Sequence, residues 1–304
     1  MIRDAQGRTV IYEIFVRDGL CYLVSTYWHY RDPPLQIVVN GRVAEEIGYN
    51  EYEPVRYFRV PVTAPPEVIS IDGIEHRIPA VPVIGREGTQ GLAVATLFKH
   101  DYAHMTSMIE WYRAQGVETF YLYFNGPSLP PGLPTGPGVQ YRLWNFQYWN
   151  PCDWRDKETG WAHAAQTAFL TMVRLRHLPD HSWIGLVDID ECVANPAGPT
   201  VAETLAAVPA EYDVVRVRNR WAFKSHDRLV YTTVSDPATE WEARTKCFYR
   251  GTYTGLCGVH RPKPGAAVMN CQSLLMLHVV NYTHMERLRQ IAEPRASVAW
   301  PTKS

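Results

Sequence analysis

Three carboxylates crowd into four positions of "WIGLVDIDECVANP": Asp188, Asp190 and Glu191 follow directly on an apolar run that reads as a central strand. Like charges at that spacing repel, so the pattern needs a positive partner among them. Alternate side chains of an extended chain leave on the same side, which places Asp188 and Asp190 to share one hard cation. Only oxygen ligands are on offer there, so the expected ion is Mn2+ or Mg2+. Ligands of open α/β sheets bind beyond the carboxyl ends of the strands, and a divalent ion held there bridges to phosphate oxygens. An EF-hand is excluded, because its further ligands and loop glycine are missing. No Gly-rich phosphate loop interrupts "LAVATLFKHDYAH", which argues against a nucleotidyltransferase.

The elements that must position this cluster are legible in outline. Residues 9–83 alternate apolar and polar in short pieces separated by Asp, Pro and Asn-Gly turn signals, the pattern of a small antiparallel β unit. The Pro-rich "IPAVPVIGREG" breaks this rhythm and sets a boundary near residue 85, giving a β-rich accessory domain over 1–85 and an α/β domain over 86–304. "GLAVATLF" (91–98) reads as a strand covered on both faces, and residues 104–116 place Met105, Met108, Ile109 and Tyr112 at helical spacing. "VETFYLYFNG" (117–126) then completes a β-α-β unit. "YRLWNF" is a further strand, residues 160–178 carry the longest helical pattern, and "TVAETLAAV" is a short helix that Thr200 can cap. The remainder returns to strands, and "THMERLRQIAEPRA" reads as a polar helix.

The 304 residues carry 30 Lys plus Arg against 31 Asp plus Glu, a net charge of −1. Nothing in that balance attracts the chain to nucleic acid or an anionic membrane. No run of about 18 apolar residues occurs, so no membrane span and a cytoplasmic location are expected. Six cysteines without a C-x-x-C pair read as reduced core thiols.

"WIGLVDIDECVANP" resembles the acidic signature of the family 92 glycosyltransferases and their relatives, formerly a domain of unknown function. The likeness runs in order along residues 91–288. "LAVATLFKHDYAHMTSMIEWYRAQGVETFYLYFNG" is similar to the family's opening, "AAQTAFLTMVRLRH" to its Gln-led helix, and "VVRVRNRWAFKSHD" to the segment ending in its aromatic loop. "ARTKCFYR", "GVHRPKPG" and "LLMLHVVNYTHMERL" are similar to its late T-K, V-H and L-x-H segments. The chain departs from the pattern at Lys99-His100-Asp101, Lys224 and Val279, which bears on acceptor choice.

The resemblance implies a GT-A-like nucleotide-sugar-binding domain with a mixed central sheet, preceded by the small antiparallel β domain. It also implies a metal-dependent enzyme that moves a sugar from a nucleotide-diphosphate donor, a UDP-sugar being favoured, to a hydroxyl of a glycan acceptor with inversion. Asp190 would then be the direct ligand of Mn2+ or Mg2+, and Asp188 would touch the ribose or the metal. A third ligand would be a late histidine, His260 ahead of His278. Asp101 would accept from the nucleobase or ribose, or else cap the following helix, while Lys99, Arg174 or Lys246 would meet phosphate oxygens. An inverting transfer needs a carboxylate base, and Glu242 ranks ahead of Asp236, Asp227 and Glu240 because it stands beside "RTK". Trp144, Trp149, Trp154 and Trp161 are candidates either for an acceptor cleft or for ordinary packing. Lack of an anchor sets the chain apart from Golgi members and points to a bacterial or viral enzyme. The competing reading is a non-catalytic carbohydrate- or nucleotide-sugar-binding protein derived from such an enzyme.

Overall fold

The computed structural model describes residues 2–3, 9–25, 35–50, 55–85, 88, 90–100, 102–145, 150–151, 161–162, 164–224, 230–233, 241, 244–260, 262, 264–279 and 296–299. The chain divides into two units, Met1–Glu87 with Phe146–His177, and Gly88–Asn145 with Leu178–Ser304. Residues 146–177, which the sequence reading placed in the second domain, fall in the first unit. There the helix Ala164–Arg176 rests on the strands Leu20–Ser25 and Val55–Pro61.

Two antiparallel layers make up most of the first unit. One contains Thr9–Arg17, Leu20–Ser25, Val55–Pro61 and Glu45–Asn50; the other contains Arg42–Val43, Ile37–Val39, Val68–Ile71 and Ile74–Arg77. Three tight turns carry positive φ at both central residues, Asp18-Gly19 at 50° and 72°, Asn40-Gly41 at 49° and 76°, and Asp72-Gly73 at 51° and 83°. Asp and Asn followed by Gly tolerate that conformation, whose twist suits two-residue hairpins. Ile11, Leu23, Val39, Val60 and Ile69 fill the apolar centre, each worth roughly 1.5–3 kcal/mol when fully buried. Arg176 Nη1 reaches Glu13 Oε1 at 2.7 Å and Arg17 donates to the Arg176 carbonyl, which ties the helix to the Thr9–Arg17 strand.

The second unit is mixed α/β. Its strands are β1 (Gln90–Phe98), β2 (Val117–Phe124), β3 (Val139–Leu143), β4 (His181–Leu186), β5 (Glu191–Ala194), β6 (Val214–Lys224), β7 (Val230–Thr233), β8 (Lys246–Arg250), β9 (Val268–Val279) and β10 (Ala296–Ala299). Its helices are α1 (Met105–Ala114) and α2 (Val201–Ala206). The sheet runs β3-β2-β1-β4-β8-β6-β7-β10, with β9 pairing both β6 and β5. The β3-β2-β1-β4 half is parallel, and β8 returns antiparallel to β4. β1, flanked on both sides, buries Ala93, Val94 and Ala95 completely, as central parallel strands do.

Helix α1 turns Met105, Met108, Ile109 and Tyr112 inward at i, i+3, i+4 and i+7. It ends at Gly116, whose φ of 84° suits the left-handed residue after a helix. Thr200 and Glu203 exchange side-chain-to-backbone bonds in a capping box at the start of α2. Cys21, Cys192, Cys247, Cys257 and Cys271 are buried. No helix among the described residues is long and apolar enough to cross a membrane.

Candidate functional site

Where the parallel strand β4 ends, the chain reverses at once. The Glu191 N–H donates to the Asp188 carbonyl at 3.2 Å, and the Glu191 carboxylate folds back to accept from the Asp188 N–H at 2.8 Å. Ile189, buried, anchors the turn. The expectation of an extended chain with both aspartates on one side is therefore corrected: residues 188–191 form a reciprocally bonded turn that sends the two aspartates to different partners.

Asp188 and Glu191 close on Lys246, the first residue of β8. The Lys246 ammonium lies 2.6 Å from Asp188 Oδ2 and 3.2 Å from Glu191 Oε2. Register explains the meeting, because Cys247 pairs Leu186 and so Lys246 stands level with the residues just past the end of β4. Burial alone would lower the lysine pKa, yet the two carboxylates outweigh it and raise the value, so the ammonium stays charged. Glu191 is almost wholly enclosed. Burial pushes its carboxyl up to about 7, with Lys246 pulling against the shift and Asp188 adding to it.

Asp190 goes elsewhere. Its carbonyl accepts from the Val279 N–H at 2.7 Å, and its Oδ2 stands 3.2 Å from His278 Nε2. His278 arrives on β9 opposite Glu191 and, on the other side of β9, opposite Trp221 of β6. The Trp221 indole stacks on the imidazole at 4.2 Å and 27°. Burial works against the imidazolium, but the hydrogen bond and charge of Asp190 prevail and raise the pKa. Behind the ring, His278 Nδ1 and Glu191 Oε1 face each other at 3.8 Å, and neither has a hydrogen-bond partner. Tyr112 of α1 braces the same place from below: its hydroxyl donates to the Glu191 carbonyl at 2.9 Å and accepts from the Val193 N–H at 3.3 Å.

The other candidates fall as follows. His260, ranked first by sequence, is exposed and turns Nδ1 to the Thr245 carbonyl at 3.2 Å; partial enclosure of its ring and the nearby Lys246 charge hold its pKa well down. Lys99 is exposed just past β1. Lys246 is enclosed by carboxylates rather than open to phosphate, and Arg174 lies on the Ala164–Arg176 helix of the first unit. Trp144 is buried, its carbonyl accepting from Asn125 Nδ2 at 2.8 Å. Asp101, Asp227, Asp236, Glu240, Glu242, Trp149, Trp154 and the 283–296 segment read as a polar helix lie wholly or almost wholly outside the described residues; the side chain of Trp161 does too. Sequence reasoning did not single out Tyr112, Trp221 or Arg244 for this site; the alternation "VVRVRNRWAF" was the available sign that Trp221 shares a face with its strand neighbours.

Asp190 Oδ2 and His278 Nε2 stand as a hydrogen-bonded carboxylate–imidazole pair 3.2 Å apart, of which the carboxylate is the group whose chemistry suits a hard divalent cation. Among the described residues no cluster of three His, Cys, Asp or Glu side chains that could hold a metal ion occurs.

No protein-family model matches the chain, and no curated protein matches it. Among solved structures it is similar to WbbM, a bifunctional glycosyltransferase in its apo form, at 12% identity and a TM-score of 0.31 over 64% of this chain. The match spans 35% of that protein's length.

Proposed function

We propose that the second unit is a GT-A-like glycosyltransferase domain related to family 92, transferring a sugar from a nucleoside-diphosphate donor, UDP-linked in the favoured case, to a hydroxyl of a glycan. The observation that supports this reading is the furnished turn at the carboxyl end of β4. Asp190 pairs with His278, while Asp188 and Glu191 are neutralised by Lys246. A cluster of this kind sits where open α/β sheets bind ligands.

In such a transfer the acceptor oxygen attacks the anomeric carbon, the bond to the β-phosphate oxygen breaks, and the hydroxyl proton passes to a base. Negative charge grows on the departing diphosphate, and stabilising it is the main task of the site. Asp190 and His278 would hold a divalent ion, Mn2+ or Mg2+, which supplies compensating positive charge when bound. The protein's own groups prepare the pair. Trp221 fixes the plane of His278, Glu191 faces its Nδ1, and Lys246 keeps Asp188 and Glu191 from repelling Asp190 out of place. Asp188, partly exposed, retains an oxygen for a donor hydroxyl. The acceptor base falls to Glu242, Asp236 or Asp227 in an inverting reaction.

The test is thermal unfolding with UDP-, GDP- and CMP-linked sugars, with and without Mn2+, for the natural protein and Asp190→Asn. Ligands that bind only the folded state raise its apparent stability. A Mn2+-dependent rise with one nucleotide class, lost in Asp190→Asn, is the expected result. An unaltered response and turnover in the variant would defeat the assignment, and no response from the natural protein would favour the non-catalytic reading.

A further inference from the structure

The cations at the acidic turn are committed to its carboxylates. Asp188, Asp190 and Glu191 face one lysine and one histidine, and the lysine is enclosed by the carboxylates it neutralises. A diphosphate carries more charge than a single divalent ion offsets, so a further cation at the mouth would add to its binding. Arg244 is placed to be that cation. It is exposed, its Cζ lies 5.1 Å from the centroid of the Trp221 indole, and that indole stacks on His278, which in turn meets Asp190.

The backbone at Arg244 is held rather than relaxed. Its φ of 56° lies in the left-handed region, which a side chain with a Cβ occupies only where the surroundings enforce it. Those surroundings are visible on both sides. Arg216 stacks on the Trp241 ring at 5.4 Å, donates to the Trp241 carbonyl, and donates through Nε to Thr245 Oγ1 at 2.9 Å. Thr245 Oγ1 passes the connection on, donating to the His260 carbonyl at 2.6 Å. Trp241 and Thr245 are thus both held by Arg216, and Arg244 is the immediate neighbour of Thr245. Arg244 makes no hydrogen bond or ion pair among the described residues, its contact there being the Trp221 ring. Resting on an aromatic ring, a guanidinium keeps its fork of N–H donors for an oxyanion of matching geometry.

We propose that Arg244, next to the anchored Thr245 and resting over Trp221, is the residue that recognises the diphosphate of the nucleotide donor. The inference rests on the nucleotide-sugar reading and goes beyond it in dividing the two cations: Lys246 neutralises the acidic turn, and Arg244 meets the ligand. The experiment is calorimetric titration of the full chain, in the presence of Mn2+, with UDP, GDP and CDP and with the matching nucleosides, for the natural protein, Arg244→Gln and Arg244→Lys. Because Arg244 is exposed, both variants should unfold at the natural temperature. The expected result is a loss of about tenfold or more in nucleoside-diphosphate affinity for the glutamine variant, from one charge-assisted bond or more. Nucleoside affinity should stay unchanged, and the lysine variant should recover part of the loss. If Arg244→Gln binds the diphosphate as the natural protein does, the proposal fails. It fails equally if diphosphate and nucleoside weaken by one factor, which marks a packing role through Trp221. A natural protein that binds none of the three diphosphates overturns the nucleotide-sugar reading, and this inference with it.

Discussion

Replacing Lys246 by Met probes the electrostatics of the turn without touching its backbone. The ammonium is 4% exposed and lies 3.2 Å from Glu191, itself 1% exposed, and 2.6 Å from Asp188, which is 38% exposed. Solvent can rehydrate Asp188, so its loss of a partner costs little. Glu191 has no such recourse. Leaving one member of a buried pair uncompensated costs about 3–5 kcal/mol, or on the order of 10 °C in unfolding temperature for a unit of this size. That cost has a ceiling, because the carboxyl can take up a proton.

The sign follows from linkage. A carboxyl whose folded-state pKa is raised binds its proton more tightly in the folded state, so stability falls as pH rises from the ordinary carboxylate value towards the folded one. In the natural protein that window closes at about 7. Without Lys246, which pulls the value down, it extends upward. The Met variant should therefore lie near the natural protein at pH 5 and fall furthest below it at pH 8. Adding Glu191→Gln to Lys246→Met should restore most of the loss at pH 8, since no buried charge then remains. Thermal unfolding of the three proteins at both pH values measures this. Equal losses at pH 5 and pH 8, or a double variant no better than the single one, would refute the reasoning.

Tyr112→Phe removes the hydroxyl shared by the Glu191 carbonyl and the Val193 N–H; two buried backbone groups lose their partner, and about 1–3 kcal/mol should go. Hydrogen exchange at the Val193 amide should quicken, and unchanged protection there would contradict the bracing role. Gly138→Ala should be far more damaging than Gly132→Ala. Both have left-handed φ, 72° and 73°, but a Cβ at 138 would sit 1.9 Å from the Glu118 carbonyl oxygen, while at 132 it meets nothing within 4 Å. The backbone penalty common to both is about 1–2 kcal/mol, so equal unfolding temperatures would dispose of the steric argument.

Features written in neighbouring residues could be read without coordinates. The inward face of α1, the Thr200 cap and the double-sided burial of β1 follow from spacing within one element. Two features of the site could not be read that way. "DIDE" looked extended because two aspartates alternate, whereas the glutamate three residues after Asp188 bonds back to its N–H, the same i to i+3 exchange that makes a capping box. His278 stands one residue from the end of β9, whereas His260 lies in the loop between β8 and β9. What separates them is the register of β5 against β9, which sets His278 opposite Glu191, and no local property of either histidine encodes it. Lys246 and Arg244 were equally ambiguous, since two residues of chain decide whether a cation is enclosed by the turn or presented outside it.

The partners of the acidic turn arrive late along the chain. Lys246 lies 58 residues beyond Asp188, and His278 lies 88 beyond Asp190. Closing such loops is slow, because their ordering entropy must be met before the contacts they allow are made. Until β8 and β9 dock, Asp188, Asp190 and Glu191 have only solvent to screen them, and the apolar end of β4 cannot be sealed over a charged glutamate. Assembly of this edge is then coupled to proton balance. Glu191 either waits in water as an anion for its lysine or enters the core protonated and gives up its proton to meet Lys246, so closing this edge carries a proton with it in one of the two routes.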